Sequence, residues 1–467
     1  VTGKTLRRDR HGRKGNKEWR KQAFMTNDMT KGNPVRLILA FMIPTYLGNI
    51  FQQFYNLVDS IVAGRYIGVN ALAAIGGTAS LIFLVIGWLN GITSGFAILV
   101  AQSFGAKDYR QMRHYIAMSI LLCLGFVVVM TGGLLVLNVP ILRLINTPAE
   151  IIGDTAAYMR IIYAGLFVTG AYNAFAAVLR ALGDSRSPLY FLIISALINV
   201  VLDIFFIVRL HMGVDGCAWA TVISQGISAL LCLVYIIRKF ELLKLTKEDF
   251  RRDFPVMGRL LAIGVPMGLQ FSITAIGTII VQGAINVFGA VYIAGFSAAG
   301  KIQNLVSSVF VSFGATIATY VGQNRGAGNM DRIRQGVRCT QIMILIWSVV
   351  MFAIIQLAGG TLIHIFVDRN QVEVIQAAKD YFTAVSWCYP FLGSIFLYRN
   401  ALQGLGYGFV PMMGGVFELA ARALVVMVTV RLGMGYMATC ASDPAAWLAA
   451  LIPLVPYYIH VMKKIKT

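Results

Sequence analysis

Blocks of about twenty apolar residues recur along this chain, and each is long enough to cross the hydrocarbon core of a bilayer. Twelve can be counted, at roughly 36–61, 73–100, 115–139, 156–179, 188–209, 217–237, 257–286, 291–322, 337–358, 376–402, 410–431 and 441–462. Backbone groups in lipid must pair within their own segment, so blocks of this kind are consistent only with α-helices. Composition agrees. Of 467 residues, 58% are hydrophobic and 13% charged, whereas a soluble domain carries about 25% charged residues.

The chain also repeats itself. VAQSFGAKDYRQMRH at 100–114 returns as VGQNRGAGNMDRIRQ at 321–335, with five of fifteen positions identical. LRALGDSRSP at 179–188 returns as LQGLGYGFVP at 402–411, with four of ten identical. A membrane chain that doubles itself is the mark of a transporter, in which two homologous lobes enclose a midplane site and rock against each other. Twelve spans in two repeats give six each, and six is even, so both repeats enter the membrane with the same orientation. The expected fold is an all-α integral membrane protein with twelve transmembrane helices in two homologous six-helix lobes related by pseudo-two-fold symmetry. Its expected parts are a basic tail (1–24), an N-terminal lobe (25–240), a cytoplasmic linker (241–255) and a C-terminal lobe (256–467). The tail is not a signal peptide, because it lacks an apolar region. It is either the product of a start assigned upstream of Met25 or Met29, or a segment that touches anionic headgroups.

The formal charge is +20, and its placement argues against nucleic acid as a partner. Twenty basic residues fall in alternate loops or at their edges, among them Lys107, Arg110, Arg186, Arg325, Arg399 and the run at 238–259. The opposite loops hold five: Arg65, Arg143, Arg209, Arg369 and Arg431. By the positive-inside rule both termini are cytoplasmic, and the expected location is the bacterial inner (plasma) membrane. The six cysteines show no CxxC spacing and read as small packing residues. The histidines form no metal-ligand cluster. Glycines within spans, such as Gly87, Gly91 and Gly95, or Gly264 and Gly268, permit close helix packing. Pro44 and Pro266 hold matching places in spans 1 and 7, each as a fixed bend or a hinge.

Charged groups at membrane depth are costly and usually mark a substrate or ion path. Asp59 lies in QQFYNLVDSIVAGR, and Gln53 and Asn56, three residues apart, share its helix face. The alternative is an interfacial Asp59 paired with Arg65. Asp203 lies in SALINVVLDIFFIV, four residues after Asn199. This pair offers a charged and a neutral oxygen to Na⁺ or a shared proton, or else clamps two helices. Two carboxyls held together away from water cannot both ionise cheaply, so they can take a proton on one side and release it on the other. The second lobe does not copy these acids. Its polar candidates are Gln282, Lys301, Glu418 and Arg422, with Glu418 and Arg422 spaced to pair directly on one helix.

GNPVRLILAFMIPTYLGNIFQQFYNLVDSIVAGRYIGVNALAAIG, LVAQSFGAKD, VLRALGDSRSP and INVVLDIFFI together resemble the multidrug and toxic compound extrusion (MATE) family, in its bacterial DinF/MepA-like branch, over residues 32–464. The resemblance implies twelve helices around a central cavity and export of organic cations in exchange for H⁺ or Na⁺. It makes Asp59 the first-helix acid and Pro44 the proline at which that helix bends. Asn199 and Asp203 match the fifth-helix pair, Tyr158 the fourth-helix tyrosine and Thr221 the sixth-helix threonine. Na⁺, if used, would sit at Asp59, Asn199 and Asp203. The sequence departs from relatives at Ala176, where many carry Asn. It also lacks the helix 7 and 10 acids of relatives with a second-lobe cation site. The expected protein is a monomeric antiporter for cationic amphiphiles, surrounded by membrane lipids, with no cofactor and no enzymatic activity. The alternative in the same superfamily is a flippase for a lipid-linked saccharide, which would need arginines lining its cavity.

Overall fold

The computed structural model describes residues 28–464, so the basic tail at 1–24 lies outside the described residues. Helices dominate, and no strand occurs among the described residues. In the first lobe these are α1 (Pro34–Tyr66), α2 (Val69–Gly77), α3 (Ala79–Gly105), α4 (Tyr109–Val136), α5 (Asn138–Leu144), α6 (Ile152–Ala164), α7 (Leu166–Ala181), α8 (Arg186–Ile204) and α9 (Val214–Lys239). The second lobe holds α10 (Phe254–Asn286), α11 (Ala290–Gly326), α12 (Met330–Ile363), α13 (Val372–Val385), α14 (Tyr389–Gly404), α15 (Phe409–Arg431), α16 (Tyr436–Cys440) and α17 (Ser442–Lys464).

Among the described residues ten helices are long and apolar enough to span a bilayer, and α6 with α7, bent by 45°, makes an eleventh. The twelfth expected span is interrupted, because the 3₁₀ turn Ser386–Cys388 divides α13 from α14. The bend in the fourth span falls at Gly165, where a Cβ would stand 2.4 Å from Val222 Cγ2. The missing side chain lets the kinked span lie directly on α9.

The repeat extends to local structure. Each lobe's first helix opens with a side-chain cap and a proline in its first turn, where a missing N–H costs nothing. Asn33 accepts from Val35 N (2.9 Å) before Pro34, and Asp253 accepts from Val256 N (3.1 Å) before Pro255. Both helices run as single 33-residue elements through Pro44 and Pro266. Neither proline therefore breaks its helix into two elements.

The lobes interlock where the repeated motifs lie. Gln102 Nε2 donates to Gly404 O (2.9 Å), and Gln323 Nε2 donates to Ala181 O (2.8 Å). These bonds are reciprocal, because Gln102 and Gln323 are equivalent in one motif and Ala181 and Gly404 in the other. Beneath them Gly105 and Gly326 cross, and a Cβ on either would lie within 2 Å of the opposite glutamine's carbonyl oxygen. Residues 28–33 strap this end. Met29 is fully buried; its N–H donates to Gln323 Oε1 (2.9 Å) and its carbonyl accepts from Asn324 Nδ2 (3.1 Å). The two glycine sets picked out above are opposite sides of one interface: Gly91 of α3 lies against Met267 and Gly268 of α10, and Gly95 against Gly264. Halfway along α1, Asn49 Nδ2 donates to Ser312 Oγ of α11 (3.1 Å).

Candidate functional site

Four helices of the first lobe bring the polar residues of otherwise apolar spans together. Asn199 and Asp203, one turn apart on α8, are fully buried, and Asp59 of α1 is 8% exposed. With its amide set so that Nδ2 faces the carboxylates, Asn199 donates to Asp59 Oδ1 (2.8 Å) and to Asp203 Oδ2 (3.2 Å). Thr221 Oγ1 on α9 donates to Asp59 Oδ2 (3.3 Å). Tyr158 on α6, also buried, lies within electrostatic reach of both carboxyls. An apolar cluster that includes Val62, Ala63, Tyr158, Ile207 and Cys217 surrounds the group. Directly after Asp203 the chain makes a π turn, Phe205–Arg209, with Leu210 N bonding to Phe205 O (3.2 Å). Such single turns recur at functional sites, where they re-aim the preceding residue.

Charge decides what this arrangement can do. It holds two carboxyls, while the partners gathered about them are neutral: an amide, a hydroxyl and a phenol. Asp59 has no ion pair with Arg65 among the described residues, and Arg65 is exposed. Asp203 Oδ1 is buried and accepts no hydrogen bond among the described residues. Two anions in an apolar setting demand compensation by protons or a small cation. That oxygen is a suitable acceptor for either.

The remaining candidates lie elsewhere. Gln53 is exposed on α1, and the Asn56 side chain is outside the described residues. Gln282 bonds to Asn286 on its own helix (2.9 Å). Lys301 is exposed with its Nζ 5.1 Å from the centre of the Phe366 ring. Glu418 and Arg422 do pair, at 3.1 Å, but within a larger network that sequence reasoning missed. Glu418 also binds Arg399 (3.1 Å), Arg422 binds Asp443 (3.2 Å), and Tyr381 Oη donates to Asp443 Oδ2 (3.1 Å). Arg399, grouped above with the basic loops, is instead buried in α14. A separate cavity of about 550 Å³ lies within the first lobe between Phe96, Ile120, Phe175, Ile237 and the linker residues Leu243 and Phe250. It includes none of the site residues. No group of three or more His, Cys, Asp or Glu able to hold a metal occurs among the described residues.

The sequence model of the MatE family matches residues 44–205 and 266–429, one stretch in each lobe. The chain is 27% identical to the probable multidrug resistance protein YpnP of Bacillus subtilis, covering 81% of this chain and 84% of that protein. It is 26% identical to the probable multidrug resistance protein YoeA of the same organism, covering 96% and 98%. Among solved structures, a crystal structure of MATE in the bent conformation superposes with a TM-score of 0.88, at 20% identity over 94% of this chain and 98% of that one.

Proposed function

The chain belongs to the MatE family, matched over most of its length, and from this premise we propose that it is a secondary antiporter that exports organic cations in exchange for H⁺ or Na⁺. The observation that carries the reading is the buried pair Asp59 and Asp203, bridged by one Asn199 amide and without a basic partner among the described residues. When the pair is empty its negative charge favours a cationic drug in the first lobe. Uptake of the coupling cation on the outside neutralises the pair, and the drug is released there. The lobes then part at the interlocked face, which the distribution of basic loops makes the cytoplasmic one, and the cation leaves inside. The resemblance to multidrug resistance proteins supports the substrate class. The energy source is the ion gradient, and the sequence contains no GxxxxGK[ST] nucleotide motif.

The flippase reading fits less well. The buried arginines of the second lobe, Arg399 and Arg422, are already neutralised by Glu418 and Asp443. Their charge is compensated, although Arg399 Nε and Arg422 Nη1 are buried without a hydrogen-bond partner among the described residues. The test is ethidium transport in inside-out vesicles under an imposed pH or Na⁺ gradient. Wild type should accumulate ethidium while one gradient lasts, and Asp59→Asn should not, although it inserts normally. Gradient-driven transport by Asp59→Asn would overturn the assignment. Transport by neither protein under either gradient would point to a lipid-linked substrate.

A further inference from the structure

Part of the buried network of the second lobe is repeat-equivalent to the carboxyl site of the first, although the counterpart of Asp59, Gln282, lies outside it. The LRALGDSRSP motif returns 223 positions later, and the same displacement carries Tyr158 to Tyr381, Asn199 to Arg422, Asp203 to Val426 and Cys217 to Cys440. The neighbourhoods correspond as well as the numbers. In the first lobe Tyr158 lies within electrostatic reach of Cys217 and the carboxyls; in the second, Tyr381 lies within reach of Cys440 and bonds to the Asp443 carboxylate. Asn199 bridges two carboxylates, Asp59 and Asp203. Arg422, its counterpart, bridges two others, Glu418 and Asp443.

The two sites differ in charge. Among the described residues the first holds two carboxyls and no basic group. The second holds Glu418 and Asp443 against Arg399 and Arg422, which cancel. We propose that Arg422 is a tethered cation. It supplies covalently, in the second lobe, the positive charge that an exchangeable H⁺ or Na⁺ supplies in the first. The second lobe is therefore a latent cation site, held permanently loaded, and ion coupling is confined to the first lobe. The glycine opposite Arg422 suits this role, since a Cβ at Gly277 would stand 2.9 Å from Arg422 Nη1 and crowd the guanidinium. This inference rests on the antiport reading of the first lobe, so its test must separate the two.

Two readouts on the purified full chain in detergent do so. One is the unfolding midpoint as Na⁺ replaces K⁺; the other is the number of protons taken up on acidification, by difference titration between variants. Asp59→Asn/Asp203→Asn should lose the cation response of wild type. Adding Arg422→Gln leaves Glu418 and Asp443 against Arg399 alone, and one cation response should return; adding Arg422→Lys should restore none. Any buried carboxylate stripped of its arginine takes up a proton, so the Na⁺-dependent midpoint is the discriminating readout: a purely structural ion pair predicts no new Na⁺ response. Its absence in a folded Arg422→Gln protein overturns the proposal. If Arg422→Gln does not fold, the Asp59→Asn/Asp203→Asn protein decides: residual cation binding that Asp443→Asn removes would show the second lobe to be exchangeable already, and would equally overturn it. A wild type with no Asp59-dependent response would instead sink the first-lobe reading, while the Arg422→Gln comparison still reports on the second lobe.

Discussion

Gly326→Ala tests whether the interlocked motifs govern opening of that face. A methyl at 326 would stand 1.8 Å from Gln102 O, 2.7 Å from its carbonyl carbon and 2.9 Å from Ala106 N. Ordinary contact begins at 3.4 Å, so the shortfall is about 1.6 Å. All three obstacles are backbone atoms, and no rotamer change relieves them. Overpacking of this kind costs about 1–3 kcal/mol. The gain in helix propensity from Gly to Ala applies equally whether the lobes are joined or parted, so it cancels. The joined state should therefore lose about 5- to 150-fold in population against the parted one. The assay is a distance distribution between spin labels on cysteines at Arg110 and Asp331, two exposed and repeat-equivalent positions, with the six native cysteines replaced. Gly326→Ala should move the distribution to longer distances and slow export. Gly132→Ala, whose methyl meets nothing within 4 Å, should do neither. A Gly326→Ala distribution that overlays wild type, with export at the wild-type rate, would refute the reasoning.

Other outcomes follow from the same geometry. Gln323→Ala leaves Met29 N–H and Ala181 O unpaired, at about 1–3 kcal/mol, and Gln102→Ala leaves only Gly404 O; the spin-label shift should be larger for Gln323→Ala, and equal shifts would show that the Met29 strap contributes nothing. Glu418→Gln sets two buried arginines against Asp443 alone and should cost about 3–5 kcal/mol, read as a fall in Tm; an unchanged Tm would mean the network is energetically idle. Gly95→Ala places a methyl 2.6 Å from Gly264 Cα and should destabilise the α3–α10 crossing by about 1–3 kcal/mol. Chemical unfolding in detergent would measure it, and wild-type stability would show that these helices can separate freely.

The sequence by itself determined the all-helical membrane fold and its doubling, because backbone pairing in lipid leaves one solution for apolar blocks of this length. It also picked out Asp59, Asn199 and Asp203, since an ionisable residue in an apolar span stands out without any knowledge of its neighbours. The glycine sets at 91/95 and 264/268 were legible as small, but not as partners, because contact between segments so far apart along the chain is a property of packing. Arg399 shows the limit most plainly. Read along the chain it belonged with the basic loops; in three dimensions it is buried against Glu418, from another helix. The repeat displacement linked Tyr158 to Tyr381 and Asn199 to Arg422, yet gave no hint that Asp443 completes the second site. Charge compensation is settled by which side chains meet, and only the tertiary structure decided that Glu418 and Asp443 meet arginines while Asp59 and Asp203 meet an amide and a hydroxyl.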